Sequence, residues 1–186
     1  MVVMDKSTVA KAHFHGKRIM KKKIVGEGEQ GNFSRECIMC RGFLIKDEKI
    51  AVIHESKTDL YQLPGGGLEG EETLRQGCSR EMLEETGYVV EISEFPIIQM
   101  EEYYGEWKFT GYYFVCETKE YKGTRLTEEE KQKGVILEWM TLDQALAVFG
   151  KYESYRDKDP MKYGGLLREY EALKMYLEYK RKREEE

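Results

Sequence analysis

The most informative segment of the sequence is Pro64–Tyr88, PGGGLEGEETLRQGCSREMLEETGY. Three consecutive glycines after a proline exclude a helix or a central strand, because glycine weakens both and proline lacks an amide donor. The segment therefore opens as a loop whose backbone can pass close to another group. Thr73 and Gln76 form a capping box, and Gly87 is typical of a helix C-terminus. The sequence predicts a helix over residues 73–86, bounded at both ends.

Three glutamates share one face of this predicted helix. Glu81, Glu84 and Glu85 stand at positions i, i+3 and i+4, where each pair of like charges costs about 0.2–0.5 kcal/mol. Gly77 lies one turn earlier in the same stripe and leaves room beside the carboxylates, at a cost of about 1 kcal/mol of helix propensity. Clustered carboxylate oxygens suit a hard divalent cation, Mg²⁺ or Mn²⁺. A solvated acidic face is the alternative, since the chain carries 35 Asp and Glu.

Two further features favour the metal site over the solvated face. Cys78, Met82 and Leu83 occupy other sides of the helix, which indicates that the helix is packed against the rest of the protein. Arg80 directly precedes the acids. Glu72, at the junction of loop and helix, is placed to hold Arg80 as a structural brace.

The segment resembles the Nudix box, the signature G-x5-E-x7-R-E-U-x-E-E-x-G-U of the Nudix hydrolase family, where U is a bulky aliphatic residue. The matching positions are Gly66, Glu72, Arg80, Glu81, Met82, Glu84, Glu85, Gly87 and Tyr88. Tyr88 is a mild departure, because an aliphatic residue is usual at the last position. Nine positions at fixed spacing make the resemblance specific, although the box itself covers residues 66–88 only.

The resemblance implies an α/β fold, a Nudix-type α/β/α sandwich with a mixed β-sheet, over roughly residues 35–180. It implies hydrolysis of a nucleoside di- or triphosphate, or of a nucleoside diphosphate linked to another moiety, by metal-activated water. The implied metal ligands are Glu81, Glu84, Glu85 and the backbone carbonyl of Gly66, with Glu72 and Arg80 holding the loop on the helix. The implied catalytic residues are Glu84, Glu85, Arg80 and Glu130.

The general base is left between two acids. Glu85 is the first choice and Glu130 the second, because the family base comes either from the box or from a downstream loop. Glu130 belongs to the acidic stretch Glu128–Glu130, which a solvated turn would also explain.

The flanking sequence predicts the strands and helices around the box. Two apolar runs separated by Asp47-Glu48 predict a hairpin, and alternating polarity predicts longer strands further on. The predicted strands are 36–46, 49–54, 61–63, 88–100, 107–118 and 134–140. Thr141 is predicted to cap a helix over 142–149, and an apolar stripe predicts a last helix over 164–183. The stretch 124–133 is a charged loop or a helical turn.

These elements predict one domain with appendages. The predicted divisions are an N-terminal arm and loop (1–34), a Nudix hydrolase domain (35–183) and a charged tail (184–186). The basic arm is either solvated or an early strand. A homodimer is expected from the family and from an exposed apolar stripe on the arm or on the last helix.

Substrate choice lies outside the box, where the sequence is less informative. Tyr61, Tyr104 and Trp107 are predicted to flank the cleft and to stack on a nucleobase. The proline typical of many ADP-ribose pyrophosphatases beyond the box is absent, as is the motif of coenzyme A pyrophosphatases ahead of it. Tyr104 meets a position typical of dinucleoside polyphosphate hydrolases, but 13 tyrosines weaken that match. A nucleoside triphosphate stays open.

Two other classes compete with this reading. A non-catalytic Nudix domain that binds a nucleotide and regulates a partner usually loses acids of the box, and this chain keeps them. An isomerase of prenyl diphosphates would need further residues that the sequence does not reveal.

Length and charge exclude several classes of protein. The 186 residues suit one domain, and the formal net charge of −5 makes duplex nucleic acid a poor partner. No apolar run reaches the roughly 18–20 residues of a membrane span, and the N-terminus does not resemble a secretory signal. Four cysteines in such a chain are expected to be free thiols, and the protein is expected to be cytoplasmic.

Overall fold

The computed structural model describes residues 19–25 and 33–185. The strands are β1 (Met20–Val25), β2 (Arg35–Lys46), β3 (Lys49–Glu55), β4 (Leu60–Gln62), β5 (Gly65–Gly67), β6 (Tyr88–Ile92), β7 (Ile98–Tyr104), β8 (Trp107–Tyr121) and β9 (Val135–Thr141). The helices are α1 (Leu74–Glu81), α2 (Glu128–Lys133), α3 (Leu142–Phe149) and α4 (Pro160–Glu184). A π-helical turn (Met82–Thr86) continues α1, and a 3₁₀ helix (Gly150–Tyr155) joins α3 to α4.

The described strands form one mixed sheet. Its main path runs β1-β7-β8-β2-β3-β4, while β5 pairs with β2, β6 with β8 and β9 with β3. The pairs β1–β7 and β2–β8 are parallel, and the other pairs are antiparallel. The longest parallel register runs from Arg35 opposite Trp107 to Ile45 opposite Glu117.

Helices cover both faces of this sheet, because alternate side chains of each strand point to opposite faces. On one face, Cys78 and Met82 of the box helix pack in a buried cluster with Leu44 and Phe114. On the other face, α3 and α4 cover a second, larger cluster around Phe43. The structure confirms the expected α/β/α sandwich with a mixed sheet.

Strands β2 and β3 separate beyond their hairpin, and this fork in the sheet positions the glycine loop. Strands β2 and β3 pair only beside their hairpin, at Ile45–Ile50 and Lys46–Lys49. Further along, β2 pairs instead with β5, so that Cys40 lies opposite Gly66. The chain from β4 to β5 therefore enters the sheet between β2 and β3, and it brings the glycines over the middle of the fold.

Three predicted elements differ in detail from the structure. The strand predicted over 88–100 is two strands, β6 and β7, and Pro96 lies between them. The break is stabilised locally, because the Ser93 hydroxyl donates to Phe95 O and accepts from the Val115 amide. The predicted helix over 73–86 ends in the π-helical turn, and the last helix begins earlier than predicted, at Pro160, capped by Asp159.

Of the stretch 124–133, residues 128–133 form a helix, and residues 124–127 lead into it without helical structure. A capping box of Thr127 and Glu130 starts α2. Of the predicted arm, residues 20–25 form strand β1 beside β7, while residues 1–18 and 26–32 lie outside the described residues.

The four cysteines are free thiols, as expected. Cys40 is buried, and burial raises the pKa of its thiol; the same holds in lesser degree for Cys37. Within residues 19–25 and 33–185, no helix combines the length and the apolar composition that crossing a lipid bilayer requires.

Candidate active site

The glycine loop is held against the box helix at each of its three residues. The Gly65 amide donates to Glu85 Oε2 at 2.7 Å, and the Gly67 carbonyl accepts from Arg80 Nη2 at 2.9 Å. Between them, a Cβ atom on Gly66 would lie 2.4 Å from Glu81 Oε1, closer than real Cβ contacts come. A side chain at Gly66 would therefore displace the Glu81 carboxylate, in line with the prediction that the loop backbone passes close to another group.

Arg80 braces the loop through Glu72. Its Nε donates to Glu72 Oε1 at 2.8 Å and its Nη2 donates to Glu72 Oε2 at 3.1 Å, a bidentate pair. The hydrogen bond from Arg80 holds the pKa of Glu72 below its ordinary value, and it raises the pKa of Arg80. Sequence analysis predicted this contact, and the structure contains it.

The three acids of the helix have two different hydrogen-bond partners. Arg80 Nη1 donates to Glu81 Oε1 at 2.8 Å and to Glu84 Oε2 at 3.0 Å, whereas Glu85 turns to the Gly65 amide. The regular i, i+3, i+4 stripe is therefore incorrect in detail, because residues 82–86 form a π-helical turn, a distortion common at functional sites. In the described part of the chain, no three His, Cys, Asp or Glu side chains already converge as a set of metal ligands.

The burial and mutual repulsion of Glu81 and Glu85 nevertheless favour a bound cation. Burial raises the pKa of Glu85 to about 8, and the neighbouring charge of Glu81 adds to the effect. Burial also raises the pKa of Glu81. Buried carboxylates that repel one another are stabilised in their ionised form by a nearby cation. Oxygen-only donors of this kind match a hard divalent ion.

Gly77 has a different role from the predicted one. A Cβ there would lie 2.4 Å from Leu68 Cδ2 and 3.0 Å from Cys40 Sγ. The space above Gly77 is therefore filled by the loop and by strand β2. It does not open a path beside the carboxylates.

Glu130 lies within electrostatic reach of the box. Its carboxylate caps α2 and accepts from the amide and hydroxyl of Thr127, at 2.6 and 2.9 Å. Its charge also contributes to the raised pKa of Glu85. The two acids named as candidate bases are thus electrostatic neighbours.

The three aromatic candidates lie in different places. Tyr61 stacks on His54 with the ring centroids 3.9 Å apart, next to Gln62 at the start of the loop. Tyr104 lies under α4, where its hydroxyl would meet a Cβ on Gly164 at 2.4 Å. Trp107 stacks on Phe109 beside the β7–β8 turn.

Register places Trp107 far from the loop. Tyr113 of β8 lies opposite Arg41, and Arg41 lies opposite Gly65. Gly67, at the other end of the loop, lies in line with Met39 and Gly111, so Trp107 is four to six residues, about 13–20 Å, away along β8. Of the three aromatic residues, Tyr61 lies closest in register to the glycine loop.

Sequence analysis missed a group of buried charges under the loop. Arg41 is 4% exposed, Glu102 1% and Glu169 0%. A signal was present for Glu169, because it lies between Leu166 and Leu173 on the apolar side of the last predicted helix.

Comparison with known proteins identifies the same family. Residues 39–158 match the family described as NUDIX domain. A "MutT-like protein" of Streptomyces ambofaciens is 29% identical over 99 residues, which are 53% of this chain and 59% of that relative. The match thus spans less than two thirds of the relative's length.

A solved structure, a NUDIX hydrolase from Nitrosomonas europaea, has a similar fold. The TM-score is 0.53 at 19% sequence identity, with 74% of this chain and 90% of that chain covered. At this level of identity the likeness concerns the fold alone.

Proposed function

The chain belongs to the NUDIX domain family, and from that premise we propose that it is a divalent-metal-dependent pyrophosphohydrolase. The substrate would be a nucleoside di- or triphosphate, or a nucleoside diphosphate linked to another moiety. One observation carries the proposal: the Gly65 amide donates to the Glu85 carboxylate, and Gly66 lies directly against the Glu81 carboxylate.

The proposed metal ligands are Glu81, Glu84, Glu85 and the carbonyl of Gly66. A divalent ion bound there, Mg²⁺ or Mn²⁺, supplies charge neutralisation of the diphosphate and a lower pKa for the attacking water. The chain's own contribution is positioning, because Arg80 and Glu72 tie the loop to the helix at fixed distances.

Glu85 is the preferred general base, and Glu130 is the second choice. Burial raises the pKa of Glu85 to about 8, and a divalent cation bound beside it would favour the ionised form, which is the form that accepts a proton. Glu130 is tied up as the cap of α2, and this favours Glu85. Arg80 is proposed to act both as brace and as a charge beside Glu84.

The substrate's base is proposed to stack on an aromatic residue. Tyr61 is favoured over Tyr104 and Trp107, because it lies nearest in register to the loop and already stacks on His54.

The limits of the domain, its cellular location and its oligomeric state are further proposals. The domain is proposed to span 35–183 together with strand β1 of the preceding arm (1–34), and to be followed by a charged tail (184–186). A cytoplasmic location is supported by the four free thiols. A homodimer stays a prediction, and sedimentation of the purified protein would decide it.

The test is a panel of nucleotides incubated with Mg²⁺ or Mn²⁺, with EDTA and Glu84→Gln as controls. The panel holds nucleoside triphosphates, an oxidised purine triphosphate, dinucleoside polyphosphates, ADP-ribose, nicotinamide dinucleotides and nucleotide sugars. Metal-dependent cleavage that the variant loses would support the proposal. No cleavage, together with a nucleotide that raises the melting temperature (Tm), would favour a non-catalytic binding domain.

A further inference from the structure

The last helix, α4, lies beyond the part of the chain that matches the family. That match ends at residue 158, and α4 runs from Pro160 to Glu184. Most of its packed face is apolar, including Leu166, Leu173 and Tyr176. Glu169 is on the same face and is completely buried.

Glu169 belongs to a cluster of four alternating charges. Arg168 Nε and Nη2 donate to Glu169 Oε1 at 2.9 and 2.8 Å, and Arg168 Nη1 lies 3.6 Å from Glu102 Oε1. On the other side, Arg41 Nε lies 3.6 Å from Glu169 Oε1. We call Arg41, Glu102, Arg168 and Glu169 the charge cluster. Its formal charge is zero.

Arg41 connects the charge cluster to the glycine loop. Its Nη1 donates to the Leu63 carbonyl at 2.6 Å and its Nη2 to Gln62 Oε1 at 3.4 Å. A Cβ on Gly65 would lie 2.6 Å from Arg41 Cα and 2.8 Å from its Cγ, so the loop crosses directly over Arg41. The loop is thus held from the α1 side by Glu85 and Arg80, and from the α4 side by Arg41.

Stability alone is a weak explanation for such a cluster. Burying an ion pair costs desolvation, and replacement by apolar residues of similar volume is often neutral or stabilising. In the described ranges, Arg41 Nε, Glu102 Oε1, Glu169 Oε2 and the neighbouring Tyr113 hydroxyl are buried without a hydrogen-bond partner. Charged partners do, however, fix one geometry, because displacing either of them leaves a buried charge unpaired.

We infer that Glu169 of α4, acting through Arg41, is a positioning residue that fixes the loop 62–67 over the carboxylates of the box helix. The inference rests on the proposed function for its kinetic consequence. It makes a helix outside the family match part of the scaffold of the site. Removal of the Arg41–Glu169 link lets the loop move while the rest of the sheet keeps its packing.

The test uses the full chain with Arg41→Met and Glu169→Leu combined. The double change leaves Arg168 and Glu102 to pair with each other, so the cluster stays neutral and the Tm is expected to stay near that of the wild type. The first readout is hydrogen exchange at the amides of residues 65–67, which is expected to become about tenfold faster. The second is kcat on the substrate found in the panel, which is expected to fall about tenfold with a smaller change in KM.

Two further variants keep the test decisive. Glu169→Gln is nearly isosteric, and it serves if the double variant does not fold, with faster exchange of the loop again expected. Glu171→Gln is the matched control, because it lies on the same helix and removes ion pairs with Lys22, at 2.9 Å, and with Lys174, neither of which belongs to the charge cluster. Its loop exchange and kcat are expected to equal those of the wild type.

Wild-type exchange at residues 65–67 in Glu169→Gln, which keeps Arg41 and its bonds to Leu63 and Gln62, would overturn the inference, and so would equal acceleration in Glu171→Gln. If the wild-type chain cleaves nothing in the panel, the proposed function fails. The exchange rates then still decide whether Glu169 positions the loop.

Discussion

At the scale of single residues, the site depends on positions where another residue type would change the contacts. A side chain at Gly66 would displace the Glu81 carboxylate, and Arg80 is needed because one guanidinium serves several acceptors. Lysine at position 80 would offer a single ammonium and lose the bidentate contact with Glu72. The loop and the helix are therefore linked by specific chemistry in addition to packing.

Glu84 is the acid whose replacement tests the site most cleanly. Its side chain is 31% exposed and contacts Arg80 alone among the described charges, so Glu84→Gln is expected to keep the fold. Loss of one carboxylate from the proposed metal site is expected to lower turnover about a hundredfold. The measurement is kcat at saturating Mg²⁺. Glu71→Gln, an exposed acid of the same box, is the control, and a wild-type rate in Glu84→Gln would contradict the assignment.

Glu72 provides a prediction about pH. Its pKa is lowered by Arg80, so the folded state favours the ionised carboxylate. The contribution to stability is present above the ordinary value of 4.5 and is lost as the pH falls below it. Glu72→Gln is expected to lower the Tm by about 2–4 °C at neutral pH. The difference from the wild type should shrink as the pH falls.

The measurement for Glu72 is thermal unfolding of both proteins from pH 7 downward. Glu71→Gln again serves as control, because Glu71 is exposed. A difference in Tm that stays constant through the acid range would show that charge on Glu72 is not the cause.

At the scale of elements, the box helix is shaped by what approaches it. Capping boxes at Thr73 and Thr141 start α1 and α3 as local sequence predicts. The end of the box helix is different, because Gly87 must adopt a φ of 75° and lie against Tyr121 and Gly123. The π-helical turn that holds Glu84 and Glu85 precedes this crowded point.

Gly77→Ala separates helix propensity from packing. Propensity alone predicts a gain of about 1 kcal/mol. The Cβ would meet Leu68 and Cys40, and overpacking of this kind costs about 1–3 kcal/mol. The net expectation is a loss of stability, measured by urea unfolding. Ser79→Ala on the exposed face of α1 is the control and should be neutral or stabilising; a more stable Gly77→Ala protein would contradict the packing argument.

At the scale of the whole molecule, the proposed metal site joins segments that come together only in the folded chain. The loop of β5 and the helix α1 are brought together by the fork between β2 and β3. A ligand that binds only the folded state stabilises it by an amount that rises with the logarithm of the ligand concentration relative to its dissociation constant. Thermal unfolding therefore reports metal binding independently of turnover.

Mg²⁺ or Mn²⁺ is expected to raise the Tm of the wild type relative to EDTA. At about 100 times the dissociation constant the gain is about 2.7 kcal/mol, or roughly 5–10 °C for a chain of this size. Glu85→Gln should lose most of this shift, because it removes a buried carboxylate from the proposed metal site. NaCl at matched ionic strength is the control. An equal shift in wild type and variant would place the cation elsewhere.

Local sequence was enough to predict the features that depend on short spacings. The box, its capping residues, the Asp47-Glu48 hairpin and the contact of Glu72 with Arg80 all follow from residues within about two dozen positions of one another. These interactions form wherever the local chain adopts its preferred conformation.

How those pieces meet became clear from the folded chain. The division of the acids between Arg80 and Gly65 depends on the position of the loop, and the buried Arg41 pairs with Glu169, 128 residues later in the sequence. The break near Pro96 and the distance of Trp107 likewise follow from sheet register. Contacts between distant segments depend on packing and charge in the folded molecule, and no local pattern of residue types encodes them.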